Sequence, residues 1–331
     1  MAVSPSAVPD HDAAVFRGRV AGPANPAERV RPARVAVVGA GAVGAYVAAR
    51  AGQAGAQVVL CVRRGAYDRV RVVRDESAGG SFETPLRVIT DPARLDAPLD
   101  WVVMATKAHQ TPAARDWLHA ALAASAEGLG VVVAQNGVRQ VERVSPPVPP
   151  DAVLPAVVYI NAELPEPGVV RHLAYGVLQI PDSPLGERFA RVLPPGDVRL
   201  VDDFVTAAWS KLLSNSAANS VTALTGRGLE VLGRADVAEL ALAVMRETAA
   251  VGRADGARLP ADAPERTLER LRRQPPGAGT SMLRDRLAGR PLEHEALIGT
   301  VVRLGQRAGV PTPASAALLP LLAALNDDHA G

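Results

Sequence analysis

Short, mostly apolar runs rich in β-branched side chains recur through the first half of the chain: Val35 to Val38, Gln57 to Val62, Asp100 to Ala105 and Gly130 to Ala134. Four to six apolar residues without polar alternation make the pattern of a strand buried on both faces. An Ala-rich stretch from Gly44 to about Gly52 reads as a helix, and helical stretches are expected between the later runs. Alternating strands and helices imply right-handed crossovers and a mostly parallel sheet covered by helices. From Val153 to Ile180 the pattern becomes short strands punctuated by Pro165, Pro167 and Gly168, which suits hairpins. From Asp202 onward the apolar positions recur at helical spacing, over 204–224, 236–252, 264–273 and 293–308, with a loop at Pro275-Pro276-Gly277-Ala278-Gly279. Three segments follow: 1–31, a Pro-rich flexible extension without period; 32–200, an α/β domain; and 201–331, an all-helical domain.

Composition narrows the classes. The chain has 331 residues, 48% hydrophobic and 21% charged, enough to bury two cores. Its 36 Lys+Arg nearly cancel its 34 Asp+Glu, which argues against nucleic acid as a partner. A single cysteine, Cys61, excludes an internal disulfide and any cysteine-rich metal site, and no metal is expected. No apolar run reaches the roughly 18 residues a spanning helix needs; the best stretch, Ala314 to Leu325, is interrupted by Pro320. Residues 1–31 carry no secretory leader pattern, so the expectation is a cytoplasmic protein without membrane attachment. Lysine occurs only at 107 and 211. In a chain where arginine otherwise replaces it, a surviving lysine is a candidate for a place where a cation must also give up a proton; chance alone could also leave two.

The candidate chemistry starts at Gly39-Ala40-Gly41-Ala42-Val43-Gly44, directly after a strand and opening a helix. In that context the glycines allow a tight turn and close approach of a pyrophosphate to a helix N-terminus. A dinucleotide site reading NAD would place an acid at the end of the second strand, but Cys61-Val62-Arg63-Arg64 offers two arginines. A guanidinium there suits the 2′-phosphate of NADP; two arginines on a solvated turn are the plain alternative. Thr106-Lys107 and Gln135-Asn136-Gly137 follow the next two strands, at the ends where such cofactors lie, although Asn-Gly is also a common turn dipeptide. In the helical domain, Lys211, Asn215 and Asn219 fall on one stripe about 80° wide. Such a stripe is either solvated or lines a polar pocket, and two asparagines in a helix favour the pocket. Glu293 and Glu295 after Pro291 fit the first turn of a helix as macrodipole partners.

Taken in order, these segments resemble the ketopantoate reductase (2-dehydropantoate 2-reductase) family over about residues 34–313. The resemblance rests on the glycine turn, Arg63, Thr106-Lys107, Asn136-Gly137, Trp209-x-Lys211-Leu212-x-x-Asn215-x-x-x-Asn219, Ser281-Met282-x-x-Asp285 and Gly289-Arg290-Pro291-x-Glu293. Pro167-Gly168-Val169-Val170-x-His172 and Gly309-Val310-Pro311-Thr312-Pro313 add to it. It implies a Rossmann-type doubly wound sheet with a C-terminal helical domain, and NADPH-dependent reduction of ketopantoate to pantoate, a step of pantothenate biosynthesis. It further implies that Gly39, Ala40, Gly41, Ala42, Val43 and Gly44 hold the pyrophosphate and Arg63 the 2′-phosphate. Lys107 and Asn136 would hold the cofactor near its reacting end. Lys211 would act as general acid, Asn215, Asn219 and Ser281 would bind the small 2-oxo acid, and Glu293 its hydroxyl end. His109 and Pro181 depart from the family pattern. They keep open a related reductase of another 2-oxo acid or carbonyl; a non-catalytic NADP-binding regulator is the third reading. The apolar stretch Ala314 to Leu325 offers a homodimer contact through the helical domain.

Overall fold

Val35, Ala36, Val37 and Val38 are each at most 2% exposed, because the strand they form is covered on both faces. The computed structural model describes residues 18–21, 31–65, 67–74, 80–95, 98–125 and 128–327. It divides into one unit of Met1–Gln135 with Arg139–Phe204 and a second of Asn136–Val138 with Val205–Gly331.

In chain order the first unit begins with β1 (Arg19–Val20), β2 (Arg34–Val38), α1 (Ala42–Gln53), β3 (Gln57–Cys61), β4 (Arg69–Arg74) and β5 (Ser81–Pro85). It continues with β6 (Arg87–Ile89), β7 (Trp101–Met104), α2 (Arg115–Ala124), β8 (Gly130–Val133), α3 (Gln140–Val144) and β9 (Val153–Pro155). It ends with β10 (Val157–Glu166), β11 (Val169–Pro181), α4 (Pro184–Ala190) and β12 (Val198–Val201). One sheet runs β6-β3-β2-β7-β8-β9 with every pairing parallel. Numbered by their own succession these strands stand 3-2-1-4-5-6, the doubly wound Rossmann order, whose direction reverses between β2 and β7. Ligands of such sheets lie outside the carboxyl ends of the strands at that reversal. A second, mixed sheet runs β1-β12-β11-β4-β5, with β10 antiparallel to β11.

Helix α1 is Ala-rich because it has little room. Val35 and Val37 of β2, Ala45 to Ala49 and Ala51 of α1, and Val70, Val72, Val170, Leu178 and Ile180 of the second sheet share one buried core. The opposite face of the parallel sheet, through Ala36, Val38, Val102 and Met104, packs on Trp117, Leu118 and Ala121 of α2.

The structure corrects three readings of the first unit. Residues 62–99, expected as helical crossover, contain β4, β5 and β6. Val70 and Val72 are fully buried while Arg69 and Arg71 are exposed, a two-residue period for a strand with one wet face. The 153–180 hairpin is long, and Pro165 is tolerated in β10 because it falls where the register with β11 is irregular. Within the extension, Arg19 and Val20 pair with Leu200 and Arg199 at a sheet edge, and Arg19 bridges Asp182 and Glu187; a two-residue strand carries no period to read. Residues 1–17 and 22–30 lie outside the described residues.

The second unit is built from α5 (Phe204–Thr225), α6 (Ala235–Ala254), α7 (Ala263–Arg272), α8 (Ser281–Leu287), α9 (Ile298–Ala308) and α10 (Pro313–Asp327). Pro320 sits inside α10 rather than breaking it. Among the described residues no helix is long and apolar enough to cross a membrane, and no His/Cys/Asp/Glu cluster could hold a metal ion.

Candidate active site

The turn after β2 uses its three glycines for three different reasons. Gly39 has φ +103°, and a Cβ there would lie 2.8 Å from the Thr106 amide nitrogen. A Cβ on Gly44 would lie 1.9 Å from the Gly39 carbonyl oxygen, so α1 could not approach the strand. Gly41 is different: its φ of −70° suits any residue, and a Cβ there would meet nothing within 4 Å. Protein packing therefore does not account for the missing side chain at 41, whereas a ligand resting on that backbone would. Gly41 is also the N-cap of α1, without a side-chain cap and without an acid in the first turn. The amides of Ala42, Val43 and Gly44 thus keep the donor character of a helix start. Ala40, between the constrained glycines, is half-buried.

The surrounding strand ends carry the other residues expected from the sequence on the cofactor side. The Gly39 amide donates to the Cys61 carbonyl, 3.0 Å away, so β3 ends beside the turn, and Arg63 and Arg64 follow it, both exposed. Neither arginine forms an ion pair with a described residue. Burial pushes the Cys61 thiol up to about 12, so it is inert. After β7, the Lys107 amide donates to Gln110 Oε1 at 3.2 Å, fixing the single turn Ala108–Gln110; His109 on that turn is exposed. Gln135, with Ala134 between it and the end of β8, is 3% exposed and bonds Thr106, Thr111 and Arg143. Its sequence signal is an amide continuing a strand of buried valines.

In the second unit α5 is buried nearly all round, with Trp209, Leu212, Leu213, Ala217 and Ala218 all under 5% exposed. Trp209 serves packing: its Nε1 donates to Asp255 Oδ2 at 2.9 Å and its ring leaves room only for glycine at 252. Lys211 and Asn215 are half-buried and Asn219 is 3% exposed. Asn219 Oδ1 accepts from Ser281 Oγ at 3.2 Å and from the Met282 amide at 3.0 Å. A hydroxyl pair, Thr222 and Thr280 at 2.7 Å, adds a second tie, and Thr280 caps α8. The stripe therefore reaches Ser281 through α8.

Glu293 is 5% exposed and its Oε2 accepts from Asn136 Nδ2 at 3.1 Å. Its segment is held by Arg290 on the buried Asp285, at 3.0 Å, and by the Leu292 amide on Asn326 Oδ1, at 2.8 Å. Glu295 is exposed and paired with Arg303. Neither acid lies in the first turn of an α-helix: Glu293 precedes the short turn His294–Ala296, and α9 starts at Ile298. The chain bends sharply at Leu297 (φ −102°, ψ −95°), which displaces the helix start expected after Pro291. The structure thus brings Asn219 to Ser281 and Asn136 to Glu293.

Residues 35–184 match the model of the family described as ketopantoate reductase PanE/ApbA, and residues 203–326 match its C-terminal model. The chain belongs to the ketopantoate reductase family. A 2-dehydropantoate 2-reductase of Mycobacterium tuberculosis is 41% identical, over 88% of this chain and 98% of that one. Among solved structures, a PanE/ApbA family ketopantoate reductase from Ralstonia eutropha JMP134 is 30% identical with a TM-score of 0.77, covering 90% of this chain and 100% of that one. A dimeric ketopantoate reductase from Staphylococcus aureus is 25% identical with a TM-score of 0.78, covering 89% and 99%. Membership makes the chain an oxidoreductase acting on a CH–OH/C=O pair.

Proposed function

We propose that this ketopantoate reductase relative uses NADPH to reduce 2-dehydropantoate to pantoate, with Lys211 as the general acid. The observation that carries this reading is the α5 stripe: a lysine and two asparagines on a helix whose middle, from Leu212 to Ala223, is mostly buried. Polar groups are not kept in such a place without partners, and Asn215 makes no side-chain hydrogen bond to a described residue.

The residues of the glycine turn fit a dinucleotide. Gly39 and Gly44 set the turn, Gly41 leaves its backbone open, and the α1 amides face an anion. Arg63, exposed and without an acid partner among the described residues, would pair with the 2′-phosphate, and Lys107 and Asn136 would hold the cofactor toward its reacting end. Bound there, the nicotinamide supplies hydride to the 2-oxo carbon. As that carbon is reduced, negative charge grows on the carbonyl oxygen. The Lys211 ammonium stabilises that charge and then delivers its proton to the oxygen, leaving a neutral amine that water reprotonates. Arginine could supply the charge but not the proton, which agrees with lysine surviving here. Asn215, Asn219 Nδ2 and Ser281 orient the substrate, and Glu293, with one oxygen fixed by Asn136, accepts from its hydroxyl end.

The test is NADPH oxidation driven by ketopantoate. Lys211→Ala is expected to lower turnover by about 100-fold or more. Unchanged turnover removes Lys211 from the mechanism. A panel of 2-oxo acids and other carbonyls, run on the wild type, decides substrate identity: ketopantoate at the bottom of the ranking transfers the same chemistry to another substrate. For assembly, Leu240 on α6 and Leu321 on α10 are 39% and 55% exposed. They support a homodimer through the helical unit, which sedimentation of the wild type against Leu321→Glu tests.

A further inference from the structure

We propose that Gln135 is a positioning residue that holds the Thr106-Lys107 loop against the glycine turn and so sets cofactor affinity. This rests on the reading above that Lys107 and the turn hold the dinucleotide.

The starting point is an amide in the wrong company. Val131, Val132 and Val133 are fully buried, Ala134 is 5% exposed, and Gln135 continues them at 3%. An apolar residue of similar volume would suit the position and would leave no polar atom to satisfy. Gln135 instead uses both ends of its amide. Nε2 donates to Thr106 Oγ1 and to Thr111 Oγ1, each at 2.9 Å. Oε1 accepts from Arg143 Nη1 at 3.0 Å and from Thr111 Oγ1 at 3.3 Å. One planar group thus ties the start of the β7 loop, its far end and helix α3, and a fully satisfied buried amide fixes one geometry.

What it fixes is one wall of the candidate cofactor site. The Thr106 backbone lies so close to Gly39 that a Cβ there would come within 2.8 Å of its nitrogen. Lys107 follows Thr106 immediately, and its own amide is held by Gln110 from the same turn. Without Gln135, Thr106 loses its side-chain anchor, and both the wall of the turn and the root of Lys107 loosen together. Gln135 touches neither the glycine turn nor Lys107 by any of these bonds, so its effect passes through Thr106.

The test uses the full-length protein with Gln135→Leu and Lys107→Ala, alone and combined. In the ligand-free protein, hydrogen exchange of residues 105–111 should speed up by about tenfold in Gln135→Leu, with exchange in α6 unchanged. The NADPH dissociation constant, read from nicotinamide fluorescence, should rise about tenfold in Gln135→Leu. It should rise little further when Gln135→Leu is added to Lys107→Ala, because both changes disable the same loop. Thr106→Val cuts the same bond from its other end and should give the same exchange pattern, which covers the case in which Gln135→Leu fails to fold. Unchanged exchange over 105–111 in both variants overturns the proposal, as does a Gln135→Leu loss that adds in full to that of Lys107→Ala. The underlying reading fails separately: Lys107→Ala with wild-type NADPH affinity removes Lys107 from the cofactor site while the exchange result still judges the anchor.

Discussion

Truncating Asn219 should show that one side chain of the stripe both binds and builds. In Asn219→Ala the amide of Met282, itself 2% exposed, loses its acceptor. Leaving a buried N–H unpaired costs about 1–3 kcal/mol, and the Ser281 bond adds about 0.5–1.5 kcal/mol. The expected loss is about 2–4 kcal/mol. At about 3 °C per kcal/mol for a unit of this size, the melting temperature should fall by about 6–12 °C. Ser281→Ala removes only the hydroxyl bond and keeps the Met282 amide on Asn219, so it should cost under about 1.5 kcal/mol. Thermal unfolding by circular dichroism, at one fixed protein concentration so that any dimer equilibrium is constant, measures both. Steady-state kinetics on the same samples should show a raised KM for the 2-oxo acid in both variants. Asn219→Ala melting within 2 °C of wild type would refute the anchoring argument. Ser281→Ala melting as low as Asn219→Ala would show that the hydroxyl, not the backbone amide, carries the tie.

The glycine turn gives a contrasted pair. Gly41→Ala should leave the melting temperature unchanged, since a Cβ there meets nothing, while NADPH affinity falls by about tenfold or more. Gly44→Ala should destabilise by about 1–3 kcal/mol or more through its clash with the Gly39 carbonyl, a difference that parallel melting and NADPH titration would expose. Arg63→Ala should weaken NADPH much more than NADH; equal losses in the two Kd values would show that Arg63 does not read the 2′-phosphate. Cys61, with its thiol pushed up to about 12 by burial, should resist alkylation at pH 8 in the native protein and react on unfolding, as mass spectrometry can follow.

What could be read from the sequence, and what could not, follows from the range of the signals. The glycine turn was legible because its reasons are local: a left-handed φ at Gly39, a helix–strand contact at Gly44 and an open backbone at Gly41 lie within six residues. The central parallel strands β2, β3, β7 and β8 were legible because burial on both faces leaves an unbroken apolar run. Strands β4 to β6 were not, because Arg69-Val70-Arg71-Val72-Val73-Arg74 is short and arginine is common everywhere in this chain. Glu293 and Glu295 could not be separated by residue type. Their difference comes from Asn136 and Arg303, which meet them from 157 and 8 residues away. Periodicity names a face of a helix; it does not say what that face meets.

Helix α5 shows how the structure sharpens that distinction. Several of its polar side chains close on their own helix. Ser214, Ser220 and Thr225 turn their hydroxyls back onto carbonyls three or four residues earlier, at 2.6–3.0 Å. Such groups satisfy themselves, so burying them asks nothing of the rest of the chain. The two asparagines of the stripe form no such bond back onto their own helix among the described residues. Asn219 is satisfied only by a segment 62 residues on, and Asn215 finds no hydrogen-bond partner among the described residues. A helix selected for stability alone would carry such hydroxyls and not the asparagines. The residues that do not satisfy themselves within the helix are the ones that call for partners from outside it: Asn219 meets Ser281 and Met282 there.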